Sequence, residues 1–238
     1  MIGKGKSISH GVAALEYDLA KEIDGQAAAT EIARHELYGC TGAEMVQEMK
    51  PYFTDFPNVK NNCLRFEVSP SIEESSSFTD TDWAELGNDF MQRMGLMNHQ
   101  YIIIKHSGTE SKKKQAHLHI LANRISLSGE LYRDNWIGKR ATEAANAIAK
   151  ERDFVQSQDI GKANKAEIKE AMNEVLKKLQ GFDLAKFQEE LGKLGFKVRE
   201  ARASTGKLNG YYVTARSGTE YKASEIGKGY TLAHIEQT

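Results

Sequence analysis

Apolar and polar positions recur along the chain with periods that change several times. From Gly11 to Leu19, the three- and four-residue spacing of Val12, Leu15 and Leu19 predicts a short helix, with Tyr17 away from the centre of its apolar face. Residues 26–50 read as one or two short helices. Leu64, Phe66 and Val68 alternate with polar neighbours and predict a strand over 61–69 that ends at Pro70. The Ser-, Glu-, Thr- and Asp-rich stretch 71–82 reads as a surface loop. Trp83, Leu86, Phe90 and Met94 then set a helical period over 82–94, which Gly95 stops.

Two apolar strands are predicted next, over 99–106 and 116–125, separated by a connection that holds Gly108 and Lys112-Lys113-Lys114. A helix over 138–152 turns Ala141, Ala145 and Ile148 towards the core. Residues 156–161 are polar without a period and read as a boundary. Beyond it lies a small α+β unit with helices over 163–179 and 183–194, the second capped by Asp183, and strands over 195–203 and 210–216. Gly206 and Asn209-Gly210 favour reversal between those strands. The division expected is a core over 1–155 and an extension over 156–238.

Composition narrows the class. The 238 residues are 40% hydrophobic and 27% charged, with three prolines, which excludes wholesale disorder and collagen-like structure and fits a folded α/β or α+β protein. No run of 18 apolar residues and no amino-terminal apolar signal segment occurs, so a cytoplasmic protein without stable membrane insertion is expected. Cys40 and Cys63 lack the companions of a disulfide scaffold or a zinc cluster and read as two unpaired thiols. The net charge of -1 hides an asymmetry: residues 1–100 carry 8 basic and 16 acidic side chains, and 101–238 carry 24 and 17. A face built from the second part can attract phosphate, because binding responds to local potential.

Chemistry concentrates at His106 and at His117-Leu118-His119. Four of the seven histidines, His99 included, fall between positions 99 and 119. His117 and His119 are two apart on a predicted strand and share a face, and the connection 107–115 can return His106 beside them. Three neutral imidazoles can hold a divalent ion and leave positions open to water or phosphate oxygens; a closed structural zinc site would need a fourth ligand that the neighbourhood does not offer. Such an ion suits phosphate-ester cleavage, for which a tyrosine can act as covalent nucleophile. Composition does not choose among nine tyrosines, although Tyr17 stands off its helix's apolar face.

The run His99-Gln100-Tyr101, Lys105-His106-Ser107-Gly108-Thr109-Glu110 and Ala116-His117-Leu118-His119-Ile120-Leu121-Ala122-Asn123-Arg124-Ile125 resembles the third motif of conjugative relaxases. These belong to the HUH endonuclease superfamily, and the likeness is greatest to the mobilisation-nuclease branch carried by mobilisable plasmids and transposons. Lys4-Gly5-Lys6-Ser7-Ile8-Ser9-His10 with Tyr17 resembles the first motif, and Cys63-Leu64-Arg65-Phe66-Glu67-Val68 stands in the place of the second. The resemblance covers about residues 1–155. More weakly, the last strands and Tyr221-Lys222-Ala223-Ser224-Glu225-Ile226-Gly227 resemble the segment that often follows a relaxase core.

What the resemblance implies is an α+β fold with a central antiparallel sheet flanked by helices and a smaller carboxy-terminal α+β unit that assists DNA binding. It further implies nicking and rejoining of one strand at an origin of transfer through a 5′-phosphotyrosyl intermediate. His106, His117 and His119 match the metal ligands and Tyr17 the attacking tyrosine, with Mg²⁺ or Mn²⁺ expected and another transition metal able to replace it in a purified sample. The partners implied are single-stranded or locally melted origin DNA, with mobilisation accessory and coupling proteins. The nearer alternative is a replication-initiation nuclease, disfavoured because Tyr17 precedes the histidines; an alternative of a different class is a noncatalytic origin-binding accessory protein that retains the fold.

The chain departs from the family at Gly108, where relatives often carry Asp. Glu67 could orient a histidine or stand on the surface, and Glu110 is a weaker candidate. Lys112, Lys113 and Lys114 form either a solvated loop or a grip on the DNA backbone. Arg124 could contact phosphate or pair with an acid, and Asn123 could stabilise the strand or contact DNA. Tyr38 is the alternative nucleophile. Trp83, Trp136, Phe90 and Tyr101 read as core or loop anchors rather than base-stacking platforms, and His10 as a surface or DNA-positioning residue. Ser204-Thr205-Gly206-Lys207 lacks the Walker A pattern.

Overall fold

The predicted strands around the histidines are the centre of a sheet in the computed structural model, which describes residues 1–23, 25–107, 115–179 and 181–235. The chain divides into two compact units, Met1–Ser157 and Gln158–Thr238. In chain order the first contains β1 (Ile2–Ile8), α1 (Gly11–Leu19), β2 (Glu22–Ile23), β3 (Gln26–Ala27), β4 (Ala29–His35), α2 (Gly42–Phe53), β5 (Cys63–Ser69), α3 (Ile72–Ser75), α4 (Asp80–Arg93), β6 (His99–His106), β7 (His117–Ser126) and α5 (Ile137–Glu151). Among the described residues, five of these strands form one antiparallel sheet in the order β1-β5-β7-β6-β4, and β2 pairs with β3.

Two-residue alternation along each strand sorts the side chains between the faces. Leu64, Phe66 and Val68 of β5, with Leu118, Ile120 and Ala122 of β7, face a core closed by Trp83, Leu86 and Phe90 of α4 and Ala141, Ala145 and Ile148 of α5. On the other face Ile8, Cys63, Ile102, Ile104 and Leu121 pack against Ala14 and Leu15 of α1 and Met45, Val46 and Met49 of α2. Lys4 and Lys6 share the parity of Ile8 on β1 but are exposed. Capping boxes at Thr41 with Glu44 and Thr79 with Asp82 start α2 and α4, each satisfying amide groups that an unfinished helix end leaves open.

Several elements differ from the sequence pattern. The amino-terminal segment gave no strand signal, because Gly3 and Gly5 occupy one of its faces, yet it forms β1. A Cβ at Gly3 would lie 2.4 Å from the Ala141 carbonyl oxygen and 2.5 Å from the Ala145 Cβ, so α5 can approach this strand only where side chains are missing. Residues 26–35, expected to be helical, are extended: β4 pairs with β6 from Ala29↔His106 to His35↔Tyr101, and the gain from pairing overrides an Ala-rich composition. Only α2 realises the helical expectation for 26–50. α1 buries Gly11, Ala14, Leu15 and Asp18, so its inward face is rotated from the one expected, and Val12 is exposed. The loop 71–82 contains α3 and the start of α4.

The second unit holds most of α6 (Ser157–Lys178), with α7 (Leu184–Lys193), β8 (Lys197–Arg202), β9 (Leu208–Thr214), β10 (Glu220–Lys222), α8 (Ala223–Ile226) and α9 (Leu232–Ile235). β8, β9 and β10 form an antiparallel sheet in the order β10-β9-β8. Ile168, Met172, Phe187, Leu191, Phe196, Tyr211 and Val213 make its core. α6 starts at Ser157, inside the stretch 156–161 that read as a boundary, since a first helical turn tolerates polar residues that carry no buried face. Among the described residues no helix is long and apolar enough to cross a membrane.

Candidate active site

β6 ends at His106 and β7 begins at His117, and the register sets these two residues opposite each other. His119 lies two positions further on the same face, so three imidazoles converge with ligand nitrogens all within 4.8 Å of one another. Ring centroids are 4.4 Å apart for His106 and His119, 4.8 Å for His117 and His119, and 5.4 Å for His106 and His117. His106 Nε2 is 2.7 Å from the Asp18 carbonyl oxygen, and His117 Nδ1 is 2.9 Å from that of Gln115. A carbonyl only accepts, so these nitrogens carry the protons and the opposite ring nitrogens present lone pairs. His117 Nε2 and His119 Nε2 approach to 3.1 Å.

The electrostatics favour the neutral form of His106 and His119. Burial first, then the neighbouring His106 and His117 and the cations Arg65 and Lys21, pull His119 down to about 2. His106 is also lowered, mainly by burial, against the opposing effect of its hydrogen bond to Asp18. Neutral His106 and His119 imidazoles that already face each other need no rearrangement of charge to act as ligands.

α1 reaches this centre through Asp18. Asp18, only 1% exposed, accepts from the Arg65 guanidinium of β5 at both carboxylate oxygens, with Nε to Oδ2 at 3.2 Å. Burial raises its pKa above the ordinary carboxylate value, with Arg65 and His117 acting the other way. Arg65 lies 3.5 Å from His119 Nδ1, and Asp18 Oδ1 lies 3.9 Å from the same nitrogen. The helix is thus tied to the histidines through backbone and side chain of one residue. The preceding residue, Tyr17, is 58% exposed. Lys21 Nζ donates to its hydroxyl at 3.2 Å and lies 5.2 Å from its ring centroid.

Asp18, Arg65 and Lys21 were not singled out from the sequence. The signal for Asp18 was present: it follows Ala14 and Leu15 at helical spacing, and a carboxylate on a buried stripe requires a cation. Lys21 stands four residues after Tyr17.

The remaining sequence candidates fall as follows. Glu67 lies opposite His119 in register but is engaged with Lys4, Oε1 to Nζ 2.9 Å. Lys4, Lys6, Arg65, Glu67 and His119 line a groove of about 220 Å³. Asn123 is fully buried; it donates to Gln100 and accepts from the Ile125 amide, so it fastens the strand and has no side-chain atom to offer DNA. Arg124 is committed to Asp134, to the Tyr132 carbonyl and to the Asn61 carbonyl, which realises the acid-pairing expectation. Lys112, Lys113, Lys114, Gly108 and Glu110 lie outside the described residues. His10 is exposed at the start of α1 with no side-chain cap.

Tyr38 follows β4 beyond His35, which pairs with Tyr101, five residues from His106 on β6; that is about 17 Å along a strand. Its hydroxyl donates to Glu36 at 3.1 Å, and the Glu36 and Glu48 carboxylates push its phenol up. Trp83, Phe90 and Tyr101 are core residues as expected, whereas Trp136 is 80% exposed, which overturns the anchor reading for that residue. Cys40 is exposed and Cys63 buried, both unpaired.

A family described as "Relaxase: MobA/VirD2-like, nuclease domain" matches residues 17–154, more than half of the chain. Among solved structures, a metal-bound conjugative relaxase TrwC in complex with oriT DNA is similar at 12% identity, over 87% of this chain and 74% of that one, with a TM-score of 0.37. Comparison with curated proteins finds no match.

Proposed function

The chain belongs to the MobA/VirD2-like relaxase nuclease family, so it is a DNA-nicking enzyme of the origin-of-transfer type, and from that premise we propose that Tyr17 is its nucleophile and that His106, His117 and His119 hold its divalent metal. One observation carries this reading: Asp18, the neighbour of Tyr17, is bonded to His106 through its carbonyl and to Arg65 through its carboxylate, so nucleophile helix and histidines form one unit. The donor set suits an ion that handles phosphate, because neutral imidazoles leave its full charge available to oxygen ligands. Mg²⁺ or Mn²⁺ is the ion proposed.

Bound there, the ion supplies positive charge to the nonbridging oxygens of the scissile phosphate. The chain's own residues do the rest. Tyr17 Oη attacks phosphorus and forms the tyrosyl ester to the 5′ phosphate while the bond from phosphorus to the 3′ oxygen breaks. The phenol loses its proton and the departing 3′ oxygen gains one, so charge balances. Lys21 Nζ, 3.2 Å from Oη, donates to that oxygen as negative charge develops on it. One phosphoester replaces another, so rejoining needs no nucleotide. Tyr38 is a poorer candidate, since its carboxylate neighbours oppose the phenolate.

The substrate proposed is single-stranded or locally melted DNA, with accessory and coupling proteins to open and deliver the duplex. The groove of Lys4, Lys6 and Arg65 beside His119 gives a backbone path into the centre. The proposed division is a relaxase core over 1–155 and an extension over 156–238 that assists DNA binding, in keeping with the basic excess of the second part of the chain.

The test is covalent-adduct formation with single-stranded fragments tiling candidate transfer origins, comparing wild type with Tyr17→Phe in matched Mg²⁺ and Mn²⁺, and locating the attached nucleotide by peptide mass spectrometry. A metal-dependent adduct on Tyr17 that is lost in Tyr17→Phe is expected. Attachment at Tyr38 would overturn the nucleophile assignment.

A further inference from the structure

Both tryptophans of the chain lie in the first unit, and they are disposed in opposite ways. Trp83 is 2% exposed and packs edge-on against Phe78, at 5.2 Å between centroids. Trp136 is 80% exposed and stands at the start of α5 with φ 55° and ψ 26°, without a side-chain capping bond. A left-handed backbone is unusual for a bulky side chain and persists only where its surroundings fix it.

The surroundings here do fix it. Asp134 accepts from Ser7 Oγ at 2.6 Å and from Arg124 at 2.7 Å, and its carbonyl accepts from the Ile137 amide at 3.1 Å. The Trp136 carbonyl accepts from the Arg140 amide at 3.0 Å, and the Arg140 guanidinium lies 4.8 Å from the Tyr132 ring. Thus the backbone on each side of the indole is held, while the indole itself projects into solvent.

The position sets the start of α5 against β1, the edge strand of the sheet, whose other face carries Lys4 and Lys6. Gly138, two residues on, is close enough to β1 that a Cβ there would lie 3.3 Å from the Gly5 carbonyl oxygen. Gly5 stands between Lys4 and Lys6, and all three line the groove that holds His119 and Arg65. Arg133 and Lys139, both exposed, flank the indole in sequence. An exposed aromatic face with cations three residues to either side, at the edge strand that also bears a groove able to take a phosphate backbone, has the composition of a single-strand stacking platform.

We propose that Trp136 stacks on a base of the single strand whose backbone runs through the Lys4–Lys6 groove to the histidine centre. The inference rests on the relaxase reading of that centre and adds to it a contact that is independent of base identity, since every base presents a flat face. The strand would be gripped on the edge side of β1, a few nucleotides from the phosphate that Tyr17 attacks.

The test uses the full chain with a short oligothymidylate and with the fragment that gives the Tyr17 adduct. Trp136→Phe leaves the core untouched, and the difference between its emission and that of wild type is the Trp136 signal. DNA should quench that difference signal. Trp136→Ala should bind either DNA about 5- to 150-fold more weakly, raise the DNA concentration for half-maximal adduct formation, and be largely rescued by Trp136→Phe. DNA binding that leaves the difference emission unchanged, or equal affinities of wild type and Trp136→Ala, would overturn the platform. In both cases a Tyr17 adduct still formed by wild type would show that the relaxase reading stands without it; loss of the wild-type adduct would instead remove the premise.

Discussion

Replacing Gly3 with alanine tests whether the contact between α5 and β1 is as close as the structure requires. The new methyl would sit 2.4 Å from a backbone carbonyl oxygen and 2.5 Å from the Cβ of Ala145, and neither atom is the end of a flexible side chain. Ordinary contact is about 3.5 Å, so the helix must withdraw by roughly 1 Å, and a gap of that size forfeits about a quarter to a half of the attraction between the surfaces it separates. The residues that lose it are Ala141, Ala145, Ile148 and Ala149, all fully buried. Overpacking of this kind costs about 1–3 kcal/mol, and with an unyielding backbone on one side the expectation is about 2 kcal/mol. In urea that lowers the unfolding midpoint by about 1 M. Tryptophan emission follows the first unit selectively, because both indoles lie there and Trp83 shares a core with Ala141 and Ala145. A midpoint within about 0.2 M of wild type, a small fraction of the shift expected from the slope, would refute the packing argument. Gly192 is the internal control: a Cβ there meets nothing within 4 Å, so Gly192→Ala in α7 should hold or gain up to about 1 kcal/mol, read by circular dichroism.

Lys21→Met removes the donor to Tyr17 and should slow single-turnover adduct formation by about fivefold, the worth of roughly 1 kcal/mol for a solvent-exposed charged hydrogen bond; an unchanged rate would deny Lys21 a part in the chemistry. His119→Gln should weaken Mn²⁺ binding at least about tenfold in calorimetry while chelation abolishes adduct formation by wild type, and undiminished binding would place the metal elsewhere. At pH 8 a thiol reagent should label Cys40 alone in the folded protein and Cys63 only on unfolding. Burial pushes the Cys63 thiol up from 9.0 to about 12, so its contribution to stability is intact below pH 9 and declines as pH rises towards 12, where the unfolded chain has already released its proton. A Cys63→Ala variant with the same alkaline decline would show that other groups cause it.

The sequence made some of this legible and concealed the rest for physical reasons. His106, His117 and His119 could be grouped because strand alternation and a returning chain leave little choice of face. β1 was hidden because the glycines that admit α5 also erase the strand's apolar alternation. β4 was hidden because the alanines of its segment favour a helix when read locally, and only the partner strand decides otherwise. The buried face of α1 was misplaced because Asp18 does not look like a core residue until Arg65 is set beneath it, 47 positions later. Trp136 shows the converse: an aromatic residue is assigned inward by habit, and only the left-handed turn before α5 turns it out. The lysines at 112–114, the most conspicuous charge run in the chain, remain an expectation from sequence.

The separations along the chain between the bonded parts of the site also set an order in time. His106 and His117 meet across a single hairpin connection, a short loop whose closure takes little entropy. The bond from His106 to Asp18 spans 88 residues, and the Thr142 hydroxyl that reaches Gly3 spans 139. Local pairs form first and distant ones wait for the chain between them to arrive. A growing polypeptide therefore has His106 and His117 assembled before α1, which carries the proposed nucleophile Tyr17, is docked, and on the proposed mechanism an ion can be loaded before the protein is able to cut. Pulsed hydrogen exchange during refolding should find the β6 and β7 amides protected before those of α1, and simultaneous protection would show instead that the two halves of the site arrive together.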